Sequence, residues 1–161
     1  MPAPRYIRDS AHSGTGDRLR QMARESGREI VLDREWLVNS RRALEASEYA
    51  REQGKHGDFH RVVFGKFYGE GQDISRWDVL HAAAEEVGLD PDEMQRQTES
   101  GRYKEKVDAT IERAHALGIT GVPAYVVGDR YLIMGAQPYE VFQEVMERLE
   151  HERLSETEVS P

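Results

Sequence analysis

The sequence predicts a mostly helical α/β protein. Over most of the chain, apolar residues recur at the three- and four-residue spacing of amphipathic helices. Towards the C-terminal end the pattern changes to two short apolar runs, residues 122–127 and 130–133. Gly128-Asp129 joins them and is a two-residue turn typical of β-hairpins. Pro138 then begins a last amphipathic helix, so a hairpin followed by a helix is expected.

Six helices are predicted before the hairpin, because glycines and capping residues separate successive apolar stripes. The stripes run through residues 19–23, 43–50, 59–67, 79–87, 91–94 and 103–117. The residues expected to cap helix starts are Asn39 or Ser40, Ser75 with Asp78, and Asp90 before Pro91. The glycines expected to end helices are Gly27, Gly54 with Gly57, Gly69, Gly88 and Gly118. Residues 29–32 form a short apolar run, which fits a strand and a loop equally well.

The composition excludes several classes of function. The 161 residues carry a net charge of −8, which opposes binding to phosphate backbones, so we expect no nucleic-acid partner. No apolar run approaches the roughly 18 residues of a membrane span. The first residues also lack the apolar core of a secretory signal, so we expect a cytoplasmic protein with no membrane partner. The absence of cysteine removes disulfides, thiolate nucleophiles and thiolate metal sites at once.

Other candidate sites are weaker. His56 and His60 are four residues apart and could bind a metal from one helix face. No accompanying glutamate pattern supports this, and Gly57 is expected to break the helix, so we predict no metal site. Aspartates at positions 73, 78, 90 and 92 resemble a calcium loop superficially, but helix capping explains them better. We therefore expect no cofactor and no catalytic residue.

The most informative stretch is residues 118–123. A proline at the start of a strand cannot donate to the sheet ladder, and the preceding Gly121 permits an unusual backbone approach. If the Val122–Pro123 bond is cis, the loop directs the amide and carbonyl of Val122 outward, where they can pair with an extended peptide. A trans proline beginning an edge strand is the commoner arrangement and stays open as the alternative.

Two blocks carry a resemblance to a known family. Residues 118–127, which read GITGVPAYVV, and residues 135–138, which read GAQP, resemble the C-terminal half of the DsbA family. The similarity is greatest to its FrnE-like branch and extends from about Gly16 to Leu149.

The resemblance implies a thioredoxin-like fold over residues 15–150, with a helical insertion at about 39–117 and the thioredoxin C-terminal half at about 118–150. Residues 1–14 carry two prolines and show no apolar periodicity, so we expect a disordered lead-in there, and the charged residues 151–161 are expected to form a tail. The resemblance also implies a cis proline beside a surface that binds a peptide or protein substrate. The residues carried over to that surface are Gly121, Val122, Pro123, Gly135, Ala136 and Gln137. We further expect Gln137 to cap the last helix, whose N-terminal amides then face the same region.

The chain also departs from the family pattern. Members begin with a strand, a Cys-x-x-Cys motif at a helix N-terminus and a second strand, and none of these precedes the insertion here. Thiol–disulfide exchange requires a thiolate that attacks a sulfur. We therefore expect a truncated, incomplete fold in a chain of an oxidoreductase family that has no redox activity of its own. A start codon assigned too far downstream explains the same facts equally well.

Two other functions stay open. A lone hairpin is marginal in water, and its open edge can pair with another chain. The protein would then be a non-catalytic interaction module, or a homo-oligomer formed through the exposed strand. Alternatively, the related glutathione-dependent isomerases use a serine in place of cysteine. In this chain that role would fall to Ser10 or Ser13.

Overall fold

The computed structural model describes residues 14–34 and 37–158. The lead-in expected over residues 1–14, including Ser10 and Ser13, lies outside the described residues except for Gly14. The chain divides into two compact units, Met1–Asp108 and Ala109–Pro161. Each unit is described by itself below.

Within the described residues the chain forms seven α-helices and two strands, which confirms the predicted mostly helical α/β class. The elements lying in the first unit are α1 (Gly14–Glu25), α2 (Arg41–Glu52), α3 (His56–Phe64), a π-helical turn (Gly65–Gly69), α4 (Trp77–Glu86) and α5 (Pro91–Glu99). Helix α6 (Lys104–Ala116) contains the boundary between the units. The elements of the second unit are β1 (Ala124–Val127), β2 (Tyr131–Met134) and α7 (Tyr139–Glu158).

The core of the first unit is built on small residues. Helix α2 packs against α3 and α5, and α4 packs against the same two helices. Buried alanines on α2 and α4 let these helices approach closely, and the larger side chains of the neighbouring helices fill the space between them. The alanines are Ala43, Ala46, Ala50, Ala83 and Ala84, and the largest fully buried side chains are Phe59, Leu80 and Met94.

Several predicted helix ends are confirmed. Gly54, Gly88 and Gly118 each follow a helix with a positive φ, as a left-handed C-terminal residue requires. At the start of α5, the Asp90 carboxylate accepts a hydrogen bond from the amide of Glu93 at 2.9 Å. At the start of α2, the capping side chain is that of Asn39, which accepts from the amide of Arg41 at 3.0 Å.

Other boundary predictions were wrong. Gly57 does not break a helix but lies in the first turn of α3. Ser75 does not cap α4, because its amide and hydroxyl both donate to the carboxylate of Asp73, and the helix begins at Trp77. Residues 29–32 form a loop, in which the Val31 amide donates to the carbonyl of Tyr68 at 2.6 Å.

The hairpin of the second unit forms as predicted. Strands β1 and β2 pair antiparallel with Ala124 opposite Met134, and the turn residues Gly128 and Asp129 both have positive φ. Helix α7 covers one hairpin face: the Tyr125 ring stacks edge-on against Phe142 with the centroids 5.0 Å apart. Side chains alternate along a strand, so the opposite face presents the other four residues. These are Ala124, Val126, Leu132 and Met134, of which Val126 and Leu132 are about two-fifths exposed.

None of the helices in the described ranges has both the length and the apolar character needed to cross a membrane.

Candidate functional site

Two loops meet at the open end of the hairpin and contain all six residues of the predicted binding surface. The first loop is residues 121–123, immediately before β1, and the second is residues 135–137, immediately after β2. The amide of Gly135 donates to the carbonyl of Pro123 at 2.8 Å, which continues the strand pairing by one step into the loops. We call these six residues the two-loop site.

The exposed feature of this site is the backbone of Val122. The Val122–Pro123 peptide bond is cis, and Val122 is 88% exposed. Neither its amide nor its carbonyl makes a hydrogen bond to any residue that the structure describes. Because Val122 is largely exposed and this donor and this acceptor have no partner among the described residues, they are available to pair with an extended segment of another polypeptide.

The second loop is fixed by its own hydrogen bonds. Gly135 has φ near +80°, a conformation that glycine adopts without a steric penalty. We predicted that Gln137 caps the last helix, but its side-chain amide instead donates to the carbonyl of Met134 at 2.7 Å. Its backbone amide donates to the carbonyl of Gly135 at 3.1 Å. Gln137 thus holds the second loop in shape, and α7 begins two residues later at Tyr139.

The chemistry of the two-loop site is limited to hydrogen bonding and apolar contact. Residues 118–123 and 135–137 include no titratable side chain, and the whole chain lacks cysteine. Among the residues that the structure describes, no group of three or more histidines, aspartates and glutamates is placed to hold a metal ion. The site can therefore bind a ligand, but it has no group of its own for proton or electron transfer.

A family model for the DSBA-like thioredoxin domain matches residues 11–147. The chain belongs to this family. The Bacillus subtilis protein YwbO is 32% identical to it over 105 residues, which are 65% of this chain and 52% of YwbO. This DsbA-like chain thus spans about half the length of the curated relative that it matches.

A solved structure supports the fold of the DsbA-like chain. The crystal structure of a probable DsbA oxidoreductase from Streptomyces coelicolor superposes with a TM-score of 0.77 at 23% sequence identity. The match covers 92% of this chain and 67% of that one. The predicted membership of the DsbA family and the thioredoxin-like fold are both confirmed.

The histidine pair of the DsbA-like chain lies on α3, in the first unit. His56 and His60 stack with their ring centroids 5.6 Å apart. A guanidinium nitrogen of Arg51 lies 2.8 Å from Nε2 of His56. Burial, the Arg51 charge and the neighbouring His60 all lower the pKa of His56. The stack continues through Phe64 to Tyr68, and the four-residue spacing of these aromatic side chains is the sequence signal that would have predicted it.

A polar cavity in the first unit was missed by the sequence analysis. It has a volume of about 480 Å³ and lies where several helices begin. We call it the helix-start cavity. Its lining residues are Asn39, Arg41, Arg42, Glu45, Ser75, Trp77, Thr98, Glu99, Gly101 and Lys104. No motif signals it, because these residues come from three separate stretches of the chain, residues 39–45, 75–77 and 98–104.

Proposed function

We propose that this chain is a FrnE-like member of the DsbA family that binds an extended peptide segment at the two-loop site. The observation that carries this proposal is the exposed residue Val122, whose amide and carbonyl have no hydrogen-bond partner among the described residues and lie beside the Pro123–Gly135 hydrogen bond. An extended peptide offers a complementary carbonyl and amide along its edge. Recognition would therefore depend on the backbone of the peptide and would tolerate many different peptide side chains.

We further propose that the chain has no thiol–disulfide exchange activity of its own. The reaction needs a thiolate that attacks a disulfide sulfur and forms a mixed disulfide. The 161 residues supply no such thiolate. Electron transfer at a bound peptide would therefore require a thiol from a different molecule or from a polypeptide segment beyond these residues.

Nuclear magnetic resonance can test the binding proposal. The probe is the insulin B chain with its cysteines carboxymethylated, titrated into ¹⁵N-labelled protein. We expect progressive shifts of the amide signals of Gly121, Val122 and residues 135–137, while the signals of the α2–α5 core stay unchanged. A titration that moves core signals only, or none, would contradict the proposal.

Two variants sharpen this experiment. Val122→Ala keeps the backbone amide and is expected to bind the B chain within about twofold of the parent protein, because one exposed side chain contributes little. Val122→Pro removes the amide donor and is expected to weaken binding by about tenfold. Equal binding by both variants would show that the amide is not used.

An insulin-reduction assay tests the redox proposal separately. Dithiothreitol reduces insulin slowly, and precipitation of the free B chain reports the rate. We expect the protein to leave that rate unchanged, because it has no thiolate to relay electrons. A rate of insulin reduction that increases with protein concentration would refute the proposal that the chain is redox-inactive. It would leave the peptide-binding proposal unaffected.

A second function, strand pairing with a partner, is supported by the sheet itself. Within the described ranges, β1 pairs with β2 alone, and its other edge lacks a neighbouring strand. An unpaired edge is a template for a further strand. Sedimentation over a range of protein concentrations is the test: a monomer throughout would argue against pairing between copies of this chain.

A further inference from the structure

The loop between α1 and α2 contacts the end of the π-helical turn that follows α3. The Val31 amide donates to the carbonyl of Tyr68 at 2.6 Å. The Arg34 guanidinium donates to the carbonyl of Phe67. Carbonyls at the end of a helix have no partner within the helix, so the loop supplies hydrogen bonds that the helix itself cannot. We call residues 31–34 the strap.

Side chains hold the strap at the same place. The Arg34 guanidinium lies over the Phe67 ring, 3.8 Å from the centroid, where a cation–π contact is favourable. Gly71 leaves room for Val31, because a Cβ on Gly71 would lie 3.0 Å from a methyl carbon of Val31. Hydrogen bonds, a ring contact and close packing thus all join the strap to residues 67–71.

Other features of the docked strap are unfavourable. Nε of Arg34 is buried and has no hydrogen-bond partner among the described residues. Burial also lowers the pKa of Arg34, because a covered guanidinium loses hydration. An unsatisfied polar atom on a charged group opposes the favourable contacts. The strap is therefore held by a balance of opposing effects, which allows it to open locally while the core stays folded.

The strap lies against an unusual piece of helix. In the π-helical turn the Glu70 amide donates to the carbonyl of Gly65 at 3.0 Å, five residues earlier. The Gln72 amide donates to the carbonyl of Lys66 at 2.8 Å, six residues earlier. Such wide turns are rare next to the α-helical arrangement, in which each amide donates to the carbonyl four residues earlier. Contacts from outside the turn are therefore needed to favour it.

An α-helical turn would use the carbonyls that the strap occupies. With α-helical spacing, the amides of residues 71 and 72 would donate to the carbonyls of Phe67 and Tyr68. Those two carbonyls instead accept hydrogen bonds from the strap. Docking of the strap and continuation of α3 as an α-helix are thus alternative arrangements of the same groups.

We propose that the strap and the π-helical turn form a two-state switch. In one state the strap is docked and the turn is π-helical. In the other state the strap is released, the Phe67 ring is uncovered and α3 continues as an α-helix to about Gln72. Asp33 of the strap binds Arg20 of α1 at 2.9 Å, so a partner that binds α1 and breaks this ion pair favours release. The switch shares no residue with the two-loop site and does not depend on the proposed function.

Nuclear magnetic resonance can follow both parts of the switch in the full chain. Protection of the amide of residue 31 against hydrogen exchange reports docking of the strap. The ¹³Cα shifts of residues 69–72 report whether the turn is α-helical. Circular dichroism establishes that each variant is folded.

The first pair of variants changes the strap and leaves the turn intact. Val31→Asp places a carboxylate beside the negative end of the helix dipole, and we expect the protection of residue 31 to fall by about tenfold. The ¹³Cα shifts of residues 69–72 should then move towards α-helical values. Val31→Thr is the matched control, because it keeps the branched shape, and it should leave both measurements close to those of the parent protein.

The second pair of variants acts from the turn. Gly71 and Gly54 both have φ near +70° after a helix, but only a Cβ on Gly71 would meet the strap. We expect Gly71→Ala to lower the protection of Val31 by about tenfold and to give α-helical shifts at residues 69–72. Gly54→Ala introduces the same backbone strain and should change neither measurement.

Three results would overturn the switch. The first is loss of protection at residue 31 in Val31→Asp or Gly71→Ala without α-helical shifts at residues 69–72, because the two parts would then be uncoupled. The second is unchanged protection in both variants. The third is an unprotected Val31 amide in the parent protein.

Discussion

Two phenylalanines on α3 have the same side chain but opposite environments. Phe59 is fully buried in the core of the first unit, whereas Phe64 is half exposed. The five-residue separation places them on different faces of the helix. Their contributions to stability should therefore be set by burial rather than by residue type.

We expect Phe59→Ala to lower the free energy of unfolding by about 3–5 kcal/mol, because it removes buried surface and leaves a cavity. Phe64→Ala is the control and should lower the free energy of unfolding by less than about 1.5 kcal/mol. Most of this loss would come from the contacts of Phe64 with the rings of His60 and Tyr68. Urea unfolding followed by circular dichroism measures both. Similar losses for the two variants would contradict the position of Phe59 in the core.

A comparison of two glycines distinguishes the effect of backbone strain from that of steric contact. Gly118 and Gly128 both have positive φ, but a Cβ on Gly118 would meet nothing within 4 Å, whereas on Gly128 it would lie 2.7 Å from a methyl group of Leu149. We expect Gly118→Ala to lower the free energy of unfolding by about 1 kcal/mol, because alanine is strained at this φ. Gly128→Ala should cost about 1 kcal/mol more, because Leu149 must also move. Thermal unfolding of the two variants measures the difference in stability. Equal losses of stability would show that the Leu149 side chain moves aside without a measurable energetic penalty.

At the scale of elements, the first turn of α3 couples helix stability to pH. His56 is the first residue of α3, and burial together with Arg51 and His60 lowers its pKa below the ordinary value near 6.5. Protonated His56 would add positive charge beside Arg51 and at the positive end of the helix dipole. The folded protein therefore favours neutral His56.

The sign of the pH dependence follows from this lowered pKa. Below about pH 6.5 the unfolded chain takes up a proton at His56 before the folded chain does, so the contribution of His56 to stability falls as the pH falls. We expect the parent protein to lose more stability than His56→Gln between pH 7 and pH 5. Urea unfolding at several pH values measures the difference between the two, and parallel profiles would contradict the lowered pKa.

At the scale of the whole molecule, the apolar core is unevenly distributed. The buried cluster runs from Ala43 to Tyr103, in the first unit. Among the described residues of the second unit, Ile133 is the only buried side chain, and the hairpin is covered by α7 on one face. A two-stranded sheet with one covered face is marginally stable.

Hydrogen exchange should reveal this difference. We expect backbone amides in β1 and β2 to exchange at least about tenfold faster than amides buried in α2 and α4, because local opening of the hairpin breaks few apolar contacts. Mass spectrometry of peptides from the two regions measures the rates. Equal protection would show that the hairpin is stabilised by contacts beyond its own unit, for example with a second copy.

Much of the secondary structure follows from signals that act over a few residues. Asp90 before Pro91 begins α5 as predicted, since a capping carboxylate and a first-turn proline act locally. The Gly128-Asp129 turn sets the hairpin register for the same reason. The prediction for Ser75 was wrong because Asp73 competes for it, so the local pattern allowed two hydrogen-bond arrangements.

The sequence by itself thus determined the helical class, the hairpin, most helix ends and the lack of a thiolate for disulfide exchange. It also brought the two loops together, because pairing of β1 with β2 places residues 121–123 beside residues 135–137. Only the tertiary structure decided that Arg42, Trp77 and Thr98 line one cavity. Backbone preferences act between near neighbours in the chain, whereas these three residues, which are more than 20 positions apart from one another, meet only through the packing of the helices that carry them.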